Sequence, residues 1–460
     1  MMSHPSQKTR TQRRLRLPAG FPADRIDPDA LVQAIVDLFP AEEVQRLARE
    51  TGFQQRERKL DVVAFLLTLA LETGPEIQKA VADLHQAYND RADDPVLSYG
   101  GFYEHFTPEL AEFLRQCVLH ALPRLCQGPG WVLKEKLARF TDVLAQDSTV
   151  IRLAAALATV YPATRSRKVA AGVKVATLHS FRANGPKRLE LTGERTSECD
   201  TLKIGPWVKN ALLLTDLGFY KHQGFARIEE NGGFYLSRLK DNANPTFVRS
   251  HLVHRGASID LEGKAWKEVA PRLQRGVLDA EVELRFSRRS YRGTSSGDTL
   301  KSRLVAVWDE EHREYHAYLT NVPTDVLTAE EVAEAYRLRW EVELLFREAK
   351  GVFRLDQVRT KNRYVAEAMI WTGWLTLLVS RRLHNVVREA LPEEWRERLP
   401  SRRWAKAFVR VAGDLLNMVL ARLGRQWVLP QPMAELAVRL EARALDPNLS
   451  RERFRREWMA

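Results

Sequence analysis

Residues Tyr336 to Lys350 read YRLRWEVELLFREAK, with no Gly or Pro. An α-helix advances about 100° per residue. With Tyr336 at zero, Arg339 falls near ~300°, Glu343 near ~340° and Lys350 near ~320°, all within an arc of about 60°. Leu338, Val342, Leu345, Phe346 and Ala349 fall between about 180° and 280°, the stripe that an amphipathic helix turns towards a core. Glu341 and Glu348 lie away from both, near ~120–140°, and Trp340, near ~40°, borders the polar line. A phenol, a guanidinium, a carboxylate and an ammonium therefore share one narrow line beside the buried stripe. A solvated i,i+4 ion pair between Arg339 and Glu343 accounts for two of them. It does not account for Tyr336 and Lys350 on the same line.

Two upstream acids stand in unusual surroundings. Asp147 interrupts the β-branched, apolar stretch FTDVLAQDSTVIRL, and Asp216 ends the apolar run NALLLTD. A carboxylate in or at the end of a buried strand is costly unless it is paired, hydrogen-bonded or metal-bound. If Asp147, Asp216 and Glu343 converge, they repel, and divalent cations relieve that repulsion. Mg²⁺ prefers oxygen ligands. Two such ions about 3.5–4 Å apart activate a hydroxyl and stabilise a leaving oxygen in phosphoryl transfer. Each acid taken alone has a plainer reading. Asp216, followed by Leu-Gly, suits a turn, and Asp142 is a rival to Asp147, although it precedes the strand.

The 460 residues suffice for roughly three domains. Hydrophobic residues at 45% and charged residues at 28% are ordinary for a globular chain, but the net charge of +12 favours a polyanionic partner. Cys117, Cys126 and Cys199 form no C-x-x-C pair, so neither a disulfide framework nor a zinc site is implied and a reducing cytosol fits. The basic N-terminus lacks the apolar run of a signal peptide. MIWTGWLTLLV, Met369 to Val379, is too short to cross a bilayer and reads as a buried helix, so no membrane partner is expected.

Along the chain, residues 1–20 read as a basic flexible arm and 21–135 as a helical N-terminal, DNA-binding domain. Helix starts are expected at Asp27-Pro28 and Thr107-Pro108, and a stop at the Gly after RKLDVVAFLLTLALET. Residues 136–240 read as the first part of a mixed α/β core, with a hairpin at Asn184-Gly185 and strands in NALLLTD and GGFYLSRLK. Residues 241–325 alternate like antiparallel strands and form a β-rich insertion. Residues 326–395 return to the core with the helix quoted above, and 396–460 read as a helical C-terminal region suited to dimerisation.

The spacing Y-x-x-R-x-x-x-E-x-x-x-x-x-x-K, met without a gap by Tyr336, Arg339, Glu343 and Lys350, resembles the signature of insertion-sequence transposases with a DDE triad, in the branch that carries a Y-R-E-K motif. QDST at Asp147 and TDLGFY at Asp216 are similar to that family's first and second Asp motifs. The β-rich stretch between Asp216 and Glu343 is similar to the insertion of that branch.

The resemblance implies an RNase H-like catalytic core and two Mg²⁺ ions, replaceable by Mn²⁺, on Asp147, Asp216 and Glu343. It implies cut-and-paste transposition: cleavage at transposon ends, a hairpin intermediate, and joining to target DNA. The partner would be double-stranded DNA, bound by a homodimer in a synaptic complex in the bacterial cytoplasm, at the nucleoid. Arg339 and Lys350 would bind end phosphates with Tyr336 assisting. An aromatic near the end of the insertion, Tyr315 or Tyr318 with Trp308 as alternative, would cradle a displaced base. Beyond the motif, Arg238, Lys240, Arg359, Lys361 and Arg363 are candidates for further phosphate contacts, expected from some of them. Two alternatives remain open: an RNase H-like nuclease without strand transfer, and a catalytically silent DNA-binding relative.

Overall fold

The computed structural model describes residue 22 and residues 25–56, 60–72, 81–91, 97–164, 170–250, 253–254, 257–258, 260–288 and 296–425. The basic arm of residues 1–20, the helix stop at Gly74 and the end of the C-terminal region lie outside the described residues.

Six helices come first: α1 (Pro28–Leu38), α2 (Ala41–Glu50), α3 (Val62–Glu72), α4 (Val81–Asn89), α5 (Tyr99–Tyr103) and α6 (Pro108–Gln127). The expected starts hold. The Asp27 carboxylate accepts the Asp29 N–H at 2.9 Å, and the Thr107 hydroxyl accepts the Leu110 N–H at 3.4 Å. The core strands are β1 (Val143–Leu153), β2 (Ala171–Ser180), β3 (Gly185–Gly193), β4 (Leu212–Thr215) and β5 (Phe234–Arg238), with α7 (Glu198–Thr201) and α8 (His222–Glu230) between them. The expected hairpin forms, with Asn184 at φ +49°, but Gly185 already opens β3 without a positive φ, so the connection is longer than a two-residue Asn-Gly turn.

The insertion adds β6 (Thr246–Ser250), β7 (Val253–His254), β8 (Ala257–Ser258), α9 (Trp266–Val269), β9 (Val277–Ser287), β10 (Gly297–Asp309) and β11 (Glu314–Thr320). Then come α10 (Ala329–Arg337), α11 (Trp340–Gly351), α12 (Arg363–Ala390), α13 (Glu393–Arg396), α14 (Ser401–Val409) and α15 (Ala412–Arg422).

One sheet of nine strands runs in the order β3-β2-β1-β4-β5-β11-β10-β9-β6. Strands β1, β4 and β5 are parallel; β2 and β11 flank them antiparallel, and β3 pairs antiparallel with β2. The mixed sheet with helices on both faces fits an RNase H-like core. Apart from the small two-stranded β7–β8 pair, the insertion's strands join the core sheet: β11 pairs with β5, Tyr318 opposite Arg238. On one face Val143, Ala145, Leu212, Leu214 and Leu236 pack with α1–α3, α6, α10–α12 and α14–α15. On the other, Leu144, Leu213, Tyr235 and Leu319 pack with Phe225 and Ile228 of α8. The N-terminal helices thus share a core with the C-terminal ones. Met369 to Val379 are all buried inside α12, as the apolar run predicts. Among the described residues no helix is long and apolar enough to cross a membrane.

The quoted stretch is not one continuous α-helix. The N–H groups of Leu338, Arg339, Glu341 and Val342 bond three residues back, to Ala335, Tyr336, Leu338 and Arg339. This is 3₁₀-type winding, in which i and i+3 eclipse. It sets the Arg339 guanidinium 5.9 Å from the centre of the Tyr336 ring. The apolar stripe is as expected: Leu338, Val342, Leu345, Phe346 and Ala349 are all buried.

Two buried charges fix where α10 and α11 sit. Arg303 of β10 forks onto Asp279 of β9 at 2.6 and 2.8 Å and donates to the carbonyls of Val322 and Leu327, just before α10. Arg381 of α12 donates to Glu348 of α11 at 2.7 Å and to Asn184 of the hairpin at 3.0 Å. Removing one member of a buried pair costs about 3–5 kcal/mol. Asp279→Ala is therefore expected to lower stability by about that much, read as a drop in the urea midpoint. An unchanged midpoint would show that Arg303 finds other compensation.

Candidate functional site

Strand alternation decides which acids can meet. Successive side chains point to opposite faces. Val143 and Ala145 face the helices, so Asp147 does too; Leu212 and Leu214 carry Asp216 to the same face. In the parallel register Gln146 stands opposite Thr215. One residue further, Asp147 and Asp216 are neighbours across β1 and β4. Thr215 stands opposite Ser237 in the next pair, which sets Arg238 beside Asp216. Tyr318 then stands opposite Arg238. On the other side of Asp147 is Thr177 of β2. A single row thus crosses five strands: Thr177, Asp147, Asp216, Arg238, Tyr318.

Helix α11 brings the third carboxylate over this row. Arg339 donates from Nη1 to Asp147 Oδ2 at 3.2 Å and from Nη2 to Glu343 Oε1 at 2.6 Å. The guanidinium is therefore a counter-charge clamped between two acids. Asp147 also accepts the Ser148 N–H at 2.7 Å. Its pKa is nevertheless pushed up to about 6. Burial is the main cause, opposed by the Ser148 N–H and Arg339 and reinforced by the charges of Asp216 and Glu343.

Tyr336 is buried and donates to the Thr215 carbonyl at 3.2 Å, next to Asp216. Burial pushes its phenol up to about 12. Tyr318 packs on it with ring centres 5.3 Å apart. Asp142, the rival acid, is buried at the start of β1 and accepts from the Ser180 hydroxyl at 2.7 Å and the Arg182 N–H at 3.2 Å. Those bonds give it a structural task. Gly218, in the D-x-G pattern, has a steric reason: a Cβ there would lie 1.8 Å from Glu198 Oε2.

Other candidate residues lie further out. Lys350 is half-buried near Arg152 and Asp356, and burial lowers its pKa. It follows Glu343 by about 10 Å of helix rise. Trp340 is 43% exposed, with Arg347 stacked 4.7 Å from its ring centre. Lys240, Arg359, Lys361 and Arg363 are exposed, Lys240 just past β5 and the others after α11. Tyr315 and Trp308 pack on each other at 4.9 Å. Tyr315 shares its face with Ala317 and Leu319, opposite to Tyr318. Neither Tyr315 nor Trp308 therefore faces the acids. Sequence reading missed the neighbour of Arg238: its guanidinium donates to His316 Nδ1 at 3.0 Å. The D-x-x-H-x-x-x-H spacing at Asp309, His312 and His316 was the available signal.

The convergent donors of Asp147, Asp216 and Glu343 are all carboxylate oxygens, a set that suits hard divalent cations. The cationic fork of Arg339 marks where positive charge is needed.

The family model described as "Transposase DDE domain" matches residues 138–379. The transposase for insertion sequence element IS231F of Bacillus thuringiensis subsp. israelensis is 23% identical over 408 residues, covering 80% of this chain and 82% of the relative. The transposase for IS1151 of Clostridium perfringens is 22% identical over 383 residues, covering 76% and 79%. A putative transposase InsL for IS186A of Escherichia coli K12 is 39% identical over 75 residues, 16% of this chain and 20% of the relative.

The Asp147 shift has a consequence for stability. Its folded pKa lies above the unfolded value, so the native state holds the proton more tightly between about pH 3.8 and about 6. Stability is lost as pH rises through that window. In metal-free buffer with chelator, Asp147→Asn should raise stability at pH 7 by on the order of 1–3 kcal/mol and change little near pH 4. Equal unfolding midpoints for the two proteins at pH 7 would contradict this.

Proposed function

The chain belongs to the transposase DDE domain family, and we propose that it binds the terminal inverted repeats of its own element, cleaves there and joins the ends to target DNA. Asp147, Asp216 and Glu343 are the acidic triad in this reading. The observation that carries it is the convergence of these acids, from segments far apart in the chain, around Arg339. The family implies divalent metal, and the oxygen-only donor set suits two Mg²⁺ ions, with Mn²⁺ as a substitute. Bound there, such ions polarise phosphoryl oxygens and make water a better nucleophile.

The chain's own residues supply position and charge. Arg339 and Arg238 border the triad, and a guanidinium suits bidentate phosphate contact. Lys350 adds a point charge further along α11, and Lys240, Arg359 and Lys361 add exposed positive charge on the surface. Tyr336 stays protonated near neutrality and positions Arg339 through the eclipsed turn. A cut-and-paste route of the Y-R-E-K branch, through a hairpin intermediate, needs a surface for the displaced end base. Trp340 suits this better than Tyr315 or Trp308, because it is exposed and directly follows Arg339. Coordinated cleavage of two ends suits a homodimer in a synaptic complex.

The test uses the full chain, labelled inverted-repeat ends, a supercoiled target and Mg²⁺. Asp147→Ala, Asp216→Ala and Glu343→Ala should each lower cleavage by at least about a hundredfold, because metal-borne charge stabilisation is worth several kcal/mol. End binding in a mobility shift should persist. Full cleavage by any one variant would remove that residue from the triad, and cleavage without joined product in the wild type would favour a nuclease. Separately, Lys350→Ala should reduce the slope of log K against log salt by about 1, as expected for one lost phosphate contact. An unchanged slope would take Lys350 off the DNA.

A further inference from the structure

We propose that Asp309, His312 and His316, at the β10–β11 hairpin, form a second cation site, selective for a first-row transition metal such as Zn²⁺ and separate from the acidic triad. The hairpin builds the site from its own backbone. Asp309 Oδ1 accepts the N–H groups of Glu311 at 2.9 Å and His312 at 3.3 Å, which fixes the carboxylate. Both imidazoles converge on the other oxygen, Oδ2: His312 Nδ1 at 2.8 Å and His316 Nε2 at 2.8 Å. The three ligand atoms all lie within 4.8 Å of one another. Zn²⁺ bonds nitrogen at about 2.0–2.1 Å and carboxylate oxygen at about 2.0–2.2 Å, so a small opening of this cluster admits an ion.

The outer contacts suit a ligand histidine. Only the Nε2 side of His316 faces Asp309. Its Nδ1 lies 3.0 Å from Arg238 Nη2 and 3.6 Å from Glu314 Oε1. In the metal-free arrangement Arg238 donates to Nδ1, and Nε2–H donates to Asp309. An ion on Nε2 would require the ring proton on Nδ1; that N–H would then turn from Arg238 towards the Glu314 carboxylate 3.6 Å away. A carboxylate behind a ligating imidazole is the usual outer partner in such sites. His312 is 63% exposed at its side chain, which leaves an open side for water.

Ligand chemistry separates this site from the triad. Two imidazoles and one carboxylate favour Zn²⁺ and its neighbours, whereas Mg²⁺ favours oxygen. The experiment is a calorimetric titration of the full chain with Zn²⁺ in saturating Mg²⁺. One Zn²⁺ per chain should bind. His312→Ala and His316→Ala should each weaken it by at least about tenfold, the lower bound for losing even an outer partner. Asp147→Ala should bind Zn²⁺ as the wild type does. His312 is exposed, so His312→Ala should keep its unfolding midpoint, which separates lost ligation from lost fold. Absence of Zn²⁺ uptake by the wild type would overturn the proposal. So would uptake that survives both histidine substitutions, or uptake lost on Asp147→Ala alone. None of these readouts depends on DNA cleavage, so the transposase reading stands or falls apart from them.

Discussion

Arg339 holds two carboxylates from distant parts of the chain in one fork, and the site depends on that contact. Asp147 and Glu343 are drawn towards Asp216 by the fold, and three like charges in a partly buried place repel. The guanidinium offsets part of that repulsion at 2.6 and 3.2 Å. It does not offset all of it. The Asp147 carboxyl remains pushed up to about 6, so burial and repulsion outweigh the Arg339 and Ser148 contacts. A site left short of positive charge by its own residues is predisposed to bind cations.

The convergence itself comes from the backbone. Asp147 and Asp216 meet because β1 and β4 run parallel in a register with Gln146 opposite Thr215. A one-residue slip would send one acid to the opposite face. The apolar partners on both faces, Leu144 and Leu213 on one and Ala145 and Leu214 on the other, make that slip costly. The same hydrophobic burial that folds the sheet therefore fixes the spacing of the charges.

Much of this was legible in the sequence, and the misses have physical causes. Asp147 and Asp216 stood out because a charge within an apolar strand is unusual, and Glu343 because helical spacing aligned it with Tyr336 and Arg339. The 3₁₀ turn at Leu338–Arg339 was hidden, because local periodicity does not report whether a helix tightens against its neighbours. The facing of Tyr315 and Trp308 was also hidden. Which face of a strand meets the acids is set by pairing with β5, a contact between segments far apart in the chain. The meeting of His312 and His316 at Asp309 was hidden too, because it depends on the β10–β11 pairing that folds them back together.

The insertion also has a place in the site's mechanics. Because β11 pairs with β5, Tyr318 becomes the last member of the row that holds both Asp residues, and it packs on Tyr336. Strand β10 carries Arg303, whose buried fork on Asp279 also grips the carbonyls that lead into α10. Helix α10 continues through the tightened turn to Arg339 and Glu343. A rigid path of sheet pairing and buried charge therefore runs from the insertion to two of the groups around Asp147. An insertion joined in this way sets the position of the third acid, whatever else its outer surface binds.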